Sequence, residues 1–415
     1  TDKIHAGKKI HIIGDYDIDG VCSTYILLQA FERLGSDVDF EIPDRIKDGY
    51  GINESIIEQA HADGVEVILT CDNGISAFHQ VELAKKYGMT VVITDHHEVP
   101  LDGEKEKIPP ADAVIDPKQA DCPYPFPEIC GAVVAYKLVQ VLYARRGVPQ
   151  MEWLDLLEFA AIATVGDVMK LQDENRILVK YGLKKMAQTK NLGLRRLAEK
   201  NNLDLGAITA YHIGFVIGPC LNAGGRLKTA KEALALLRAQ SEEEAERLAE
   251  ELKELNDTRK DMTEQGTEAA KLQVESWYQK DKVLVVFLPE CHESLAGIIA
   301  GRLREYYQKP AIVLTRGEEA VKGSGRSIDE YHMFKKLTEV SDLLLKFGGH
   351  PLAAGLSLEE KNIDEFRRRL NENAGLTEED FKAKVWIDVP MPVGYVTERL
   401  VRELSCLEPF GQGNE

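Results

Sequence analysis

Four short apolar runs in the first half of the chain end alike, each followed by an acid or an imidazole and then a glycine or a turn. Ile10–Ile13 leads into Gly14-Asp15-Tyr16-Asp17-Ile18-Asp19-Gly20, and Val65–Cys71 leads into Asp72-Asn73-Gly74. Thr90–Thr94 leads into Asp95-His96-His97, and Phe159–Val165 leads into Gly166-Asp167. Short apolar runs alternating with helical stretches are the pattern of a parallel α/β sheet. Ligands of such a sheet bind outside the carboxyl ends of its strands, so Asp and His repeated there point to a metal centre. Several carboxylates beside imidazoles suit Mn²⁺ or Mg²⁺ better than Zn²⁺.

The alternation continues to about residue 180. Residues 19–34 predict a first helix stopped by Gly35, and 54–61, 76–87 and 132–145 predict further helices. The proline-rich stretch Cys122–Pro127 predicts a loop. From about Asn222 to Tyr278 the pattern is helical, with one long charged helix over 242–275 joining two lobes. A second α/β lobe follows: a strand at Lys282–Leu288, a helix at Leu295–Tyr307 and a strand at Ala311–Thr315. Lys384–Asp388 reads as a strand opening a further unit. The expected division is 1–190, 191–280, 281–375 and 376–415. The start at Thr1, with neither Met nor a signal peptide, reads as a sequence missing its natural beginning.

A chain of 415 residues is long enough for two to three domains. It has no apolar run of about 18 residues, so no membrane span is expected. Seven scattered cysteines without a Cys-x-x-Cys argue against a disulfide framework or a zinc site and fit a reducing cytoplasm. The net charge of −18 opposes nucleic-acid binding only if charge is spread evenly. It is not. Lys184–Lys231 holds nine Lys/Arg against Glu199 and Asp204, while Glu242–Glu254 holds seven Glu against Arg247 and Lys253. That distribution predicts a local basic groove on an acidic body.

In their order along the chain, the segments at Asp15, Asp72, Asp95-His96-His97 and Asp167 resemble the DHH phosphoesterase superfamily. Asn222-Ala-Gly-Gly-Arg226, Lys322-Gly-Ser-Gly-Arg326-Ser327, Phe347-Gly-Gly-His350 and Leu407–Asn414 narrow the resemblance to its RecJ-like family. It covers nearly the whole chain. The resemblance implies a parallel-sheet DHH domain, the helical connector, a smaller α/β DHHA1 domain and the start of a C-terminal OB-like unit. It also implies a 5′→3′ exonuclease of single-stranded DNA that uses two divalent cations and serves recombination and repair. The expected protein is a monomer off the membrane. Its partner is single-stranded DNA, with a single-stranded-DNA-binding protein or a helicase reached through segments absent from this sequence.

Asp15 and Asp17 are two residues apart, which on extended backbone turns both carboxylates to one side. Asp19, just ahead of Gly20, reads as the cap of the first helix. An Asx-turn before Asn73-Gly74 is an alternative use of Asp72. By resemblance, Asp15, Asp17, Asp72, His96 and Asp167 are metal ligands, with Asp72 bridging. His97 and Asp72 are then catalytic, His97 contacting phosphate or leaving group, and Asp95 orients a histidine. Some family members carry a histidine where this chain has Ile13, which implies fewer protein ligands for one ion.

Substrate contacts are expected from Asn222 and Arg226, from Ser324, Gly325 and Arg326 on a glycine loop, and from His350. Arg45, Tyr50 and His292 are further candidates, with loop packing or a structural histidine as alternatives. Tyr124 and Phe126 can stack bases, but their flanking prolines favour packing. Two other classes stay open: a DHH–DHHA1 phosphodiesterase of short oligoribonucleotides or cyclic dinucleotides, and a non-catalytic DNA-binding scaffold. A family-II-like pyrophosphatase is disfavoured by length.

Overall fold

Three of the four apolar runs become strands of one sheet, and the fourth becomes a helix beneath it. In the computed structural model, which describes residues 1–45, 48, 51–385 and 387–415, contacts divide the chain into two units. These are Thr1–Asn256 with Gly394–Glu415, and Asp257–Val393. The first unit begins β1 (Ile10–Ile13), α1 (Ile18–Arg33), β2 (Val38–Glu41), α2 (Glu54–Ala62), β3 (Val67–Cys71), α3 (Phe78–Lys86), β4 (Thr90–Thr94) and β5 (Ala113–Ile115). The five strands run parallel in the order β2–β1–β3–β4–β5. Chain direction across the sheet reverses between β1 and β3, which makes that crevice the topological switch point.

Helices cover both faces, so neighbouring residues of one strand enter different cores. Ile12 packs into the cluster that includes α1, while Ile13 packs with α2 and α3. After α4 (Gly131–Arg146) comes the correction: Phe159–Val165 is not strand-like but lies in α5 (Leu157–Gly166), with Phe159–Ala163 all buried. An apolar run without period does not separate a buried strand from a buried helix. Three alanines, at 160, 161 and 163, favour the helix. α6 (Asp173–Met186) lies so close that a Cβ on its Gly182 would stand 2.2 Å from that of Ala161.

Part of the block expected to form a basic groove is ion-paired. α7 (Leu192–Lys200) is followed by α8 (Gly218–Leu227) and by the long charged helix α9 (Glu242–Gln273). Arg196 and Lys200 of α7 pair with Glu242, Glu246 and Glu250 of α9, and Lys231 pairs with Glu41. Two charge blocks that look separate in sequence thus meet, and three cations of the first, Arg195, Arg196 and Lys200, pair with acids of the second.

The second unit holds β6 (Leu284–Phe287), α10 (Ala296–Tyr307), β7 (Ala311–Arg316), β8 (Val321–Arg326), β9 (Leu344–Gly349), β10 (Ala353–Leu358) and α11 (Ile363–Glu372). Its sheet runs β9–β10–β8–β7–β6, with only β6 and β7 parallel. The Gly323–Arg326 segment is therefore a central strand, not a loop. A Cβ at Gly323 would meet Leu314 at 2.5 Å and Leu356 at 3.1 Å, so its glycine lets two leucines close over the strand. Lys384–Asp388 forms no strand among its described residues; Val385 is 83% and Ile387 71% exposed. No described strand pairs with it, and unpaired backbone gains nothing from extension. The Leu407–Asn414 motif instead packs on the first unit. Arg176 donates to the carbonyls of Cys406, Leu407 and Glu408, and the Leu171 amide donates to Gln412 O at 2.7 Å. No helix among the described residues is long and apolar enough to cross a membrane.

Candidate metal centre

The reactive side chains lie just past the ends of β1, β3 and β4, at the switch point, with Asp167 at the end of α5. At the end of β3, Asp72 holds φ at 62°, a left-handed conformation that costs most residues energy and that Asp and Asn tolerate best. The next side chain fixes it there. Asn73 Nδ2 donates to Ile13 O at 3.1 Å and to Cys71 O at 2.9 Å, tying β1 to β3. Against Asp72 lies the first residue of α4. A Cβ on Gly131 would stand 2.7 Å from Asp72 Cβ and 2.8 Å from its Oδ1, so only glycine fits.

Two aspartates exchange the parts expected of them. Asp17 caps α1, its Oδ1 accepting from the amides of Asp19 at 3.0 Å and Gly20 at 3.1 Å. Asp19 caps α4 instead, accepting from Gly131 N at 2.6 Å and Ala132 N at 2.7 Å. Both remain in the cluster. Three groups gather ligand atoms within 4.8 Å of one another: Asp15, Asp17 and Asp72; Asp72, His96 and His97; and Asp19, His96 and Asp167. His96 Nε2 lies 3.1 Å from Asp72 Oδ1, 3.5 Å from Asp19 Oδ2 and 3.8 Å from Asp167 Oδ2. Asp95 sits behind them and orients His97. Its Oδ1 lies 2.7 Å from His97 Nδ1, and its Oδ2 accepts from Ile75 N at 2.9 Å.

Packing several acids together has an electrostatic cost. Burial, and then the charge of Asp17, pushes Asp15 up to about 8. Burial, and then Asp19, pushes Asp167 up to about 8 as well. Asp72 is raised by burial and by Asp19, Asp17 and Asp15. Burial lowers His96. For His97 burial works against the charged form, but the hydrogen bond and charge of Asp95 outweigh it and carry the ring up to about 9. Asp15 Oδ1 and His96 Nδ1 are buried without a hydrogen-bond partner. A mutually repelling set of oxygen donors with one imidazole aimed into it fits hard divalent cations. Ile13, at the position where some family members carry a histidine, is fully buried in the apolar core, and Asp19 supplies an acid that local sequence assigns elsewhere.

Beside this cluster is a rim that local sequence does not reveal. The Arg45 guanidinium lies over the Tyr16 ring, 4.9 Å from its centroid. Arg226 lowers the Tyr16 pKa from the other segment, against a net rise caused first by burial. Contact is close: a Cβ on Gly225 of α8 would stand 2.3 Å from Tyr16 O. α8 thus brings Asn222-Ala-Gly-Gly-Arg226 against the first acidic motif, with Asn222 half-buried. Tyr50 lies outside the described residues. Tyr124 and Phe126 pack against the core, and the Tyr124 hydroxyl donates to Glu174.

The second unit holds the remaining candidates. Arg326 ends β8, its Nη1 donating to Ser324 Oγ at 3.2 Å and Gly325 O at 2.8 Å. His350 is exposed just after β9, its amide donating to Ala353 O at 2.7 Å. His292 caps a short 3₁₀ turn, its Nδ1 lying 2.7 Å from Ser294 Oγ, which is the structural alternative for that residue.

The sheet order and the acids at its switch point define a class, and two family models match it: the DHH family N-terminal domain over residues 9–164 and the DHHA1 domain over 280–375. The single-stranded-DNA-specific exonuclease RecJ of Bacillus subtilis is 40% identical over 98% of this chain, and its Escherichia coli counterpart is 36% identical over 98%. The chain spans 51% of the former, about half its length, and 73% of the latter. The crystal structure of RecJ with Mn²⁺ from Thermus thermophilus superposes with a TM-score of 0.84 at 31% identity, covering all of this chain and 59% of that one. The chain belongs to the RecJ family of DHH–DHHA1 proteins.

Proposed function

We propose that this chain is the core of a metal-dependent exonuclease that degrades single-stranded DNA from its 5′ end to 5′-mononucleotides in recombination and repair. The observation that carries the reading is the buried cluster of Asp15, Asp17, Asp72, His96 and Asp167 at one sheet end. The names of its relatives supply the polymer. The five residues would hold two divalent cations, Mn²⁺ or Mg²⁺, which when bound neutralise the phosphodiester and activate water for in-line displacement.

The chain's own groups do the rest. Asp72, shared by two of the groups, would serve both ions. His97, held by Asp95 through Nδ1, presents Nε2 to the phosphate or the leaving oxygen and keeps a proton available there. Arg226 and Arg45 flank Tyr16 as a cationic rim for phosphate. Ser324, Gly325, Arg326 and His350 hold the strand terminus, and Asn222 contacts the substrate with Arg226. This reading keeps the division 1–190, 191–280, 281–375 and 376–415. It places a monomer in the cytoplasm, where seven free cysteines suit a reducing medium, with a single-stranded-DNA-binding protein or a helicase as protein partner.

Digestion of 5′- and 3′-labelled single strands with Mn²⁺, Mg²⁺ or chelator tests the proposal. The 5′ label should leave first, as a mononucleotide, and chelator should stop the reaction. Release of the 3′ label first, or undiminished turnover in chelator, would overturn it.

A further inference from the structure

From Ala210 to Leu227 the first unit carries one helical rod: a short α-turn (Ala210–His212), a π-turn (Ile213–Ile217) and α8. Ala210, Ile213 and Ile217 are buried and hold the rod in place. Tyr211 and Phe215, four residues apart, share another side of it. Their rings stack, with centroids 4.8 Å apart and planes 28° from parallel, yet they are 64% and 67% exposed. Single exposed apolar residues are ordinary, but an aligned aromatic pair presents a flat apolar surface. A π-turn is itself uncommon, and such turns recur at functional sites. The rod runs past the metal cluster. A Cβ on Gly214 would stand 3.6 Å from Cγ1 of Val165, two residues before Asp167, and one on Gly218 would stand 3.3 Å from Cδ1 of Ile18. Arg226, at the cationic rim, lies about 16 Å along the rod from Phe215 at the helical rise. Beside Tyr211 opens a cavity of about 660 Å³ whose lining includes Lys180, Lys184, Gln188 and Phe410, with Glu408 as its one acid. The Lys184 ammonium lies over the Tyr181 ring, 5.2 Å from the centroid. Unlike the cations of α7, neither lysine forms an ion pair among the described residues.

We propose that Tyr211 and Phe215, flanked by Lys180 and Lys184, bind the single strand on the 3′ side of the nucleotide being released. The inference rests on the exonuclease reading and gives that substrate a second place of contact. Every base has a π-face, so an exposed ring accepts any sequence by stacking, while ammonium groups follow the phosphates. An enzyme that releases one nucleotide after another needs a hold of this kind on the strand that remains. Stacked nucleotides advance about 3.4 Å each along a strand. A strand with a phosphate at Arg226 therefore reaches Phe215 after about five stacked nucleotides, or fewer if stretched. The pair adds to the hold on a long strand and little to that on a dinucleotide. A duplex interior offers no free base face, so the pair also favours unpaired DNA.

Strand binding by the full chain in excess EDTA tests this without cleavage. By fluorescence anisotropy, the Tyr211→Ala/Phe215→Ala double variant should bind a 20-nucleotide single strand at least tenfold more weakly than the parent. The loss should shrink as the strand is shortened to three nucleotides. Tyr211→Trp with Phe215→Tyr keeps two stacking faces and should restore the affinity. Lys180→Ala with Lys184→Ala should flatten the dependence of affinity on salt. Both rings are exposed, so circular dichroism and melting of these variants should match the parent. A scan of 2-aminopurine along the strand needs no variant: on binding to the parent, its fluorescence should change most at one or two positions several nucleotides from the 5′ end. Unchanged affinity in the double variant would assign the pair to a protein partner, and the inference falls. It falls equally if the loss is the same at every length, if the Trp/Tyr variant binds no better than the double alanine, or if the parent does not bind the strand. A parent that binds through the pair but releases no 5′ nucleotides with Mn²⁺ would overturn the exonuclease reading and leave this strand site standing.

Discussion

The two units place their chemistry differently. In the first, acids and imidazoles follow the strands, on backbone free to turn left-handed at Asp72. In the second, Ser324, Gly325 and Arg326 lie inside a central strand whose glycine at 323 is needed for packing. The first arrangement destabilises the protein on its own, because buried acids repel; the second does not. An arrangement that is unfavourable without a ligand is stronger evidence for that ligand than one that also serves the fold. Variants that separate stability from activity therefore probe the first unit best.

Asp72→Asn should have the largest effect. Asn tolerates the left-handed backbone and removes a charge from a repelling cluster, so the metal-free protein should melt at a higher temperature. Turnover should fall on the order of a thousandfold or more, as when a residue acting with others as a unit is removed. Melting curves in chelator with a nuclease assay give both readouts; a lower melting temperature would refute electrostatic strain at the strand ends. Gly131→Ala comes next. Its new Cβ meets Asp72 at 2.7 Å, and overpacking of this kind costs roughly 1–3 kcal/mol. Mn²⁺ affinity by calorimetry should drop about ten- to a hundredfold, and an unchanged affinity would show that α4 does not hold Asp72 in place.

Those two positions also show what sequence reading reaches. β1, β3 and β4 are legible because each apolar run stops at an acid or a histidine, a change of chemistry that marks a strand end. Asp19 is not, because the helix it caps begins 112 residues later, and only the fold brings Gly131 to it. Phe159–Val165 lacks a period to decide strand from helix. Gly323–Arg326 reads as a loop because glycine usually marks turns, whereas here neighbouring leucines fill the space. Tyr16, hidden between two acids, gains its meaning from Arg45 and Gly225, neither adjacent in sequence.

Arg326→Ala sharpens the contrast from the second unit. If its guanidinium reads a terminal phosphate, loss of a charge-assisted contact of roughly 1.5–3 kcal/mol should slow degradation of 5′-phosphorylated strands about ten- to a hundredfold. Strands ending in 5′-hydroxyl should be affected much less. Equal losses on both ends would mean that Arg326 serves only its strand, where it already bonds Ser324 and Gly325.

The smallest effect tests whether burial alone, without neighbouring acids, gives the strain seen at the strand ends. Glu158 is raised to about 7, by burial first, against lowering by Thr189 and Lys185 and with Asp155 raising it. Its folded pKa lies above the unfolded value near 4.5, so the folded state binds the extra proton between the two. Stability should therefore be greatest below about 4.5 and fall as pH rises towards about 7. Glu158→Gln keeps an acceptor for Thr189 and has no charge to bury, so it should gain on the parent by about 1–3 kcal/mol across that window. Above it the gap should level off. Urea unfolding of both proteins in chelator at pH 5, 6, 7 and 8 measures the gap, with the metal cluster common to both and cancelling. A gap that stays constant with pH would show that Glu158 is already solvated, and that repulsion between neighbours, not burial, is what sets the strand-end acids apart.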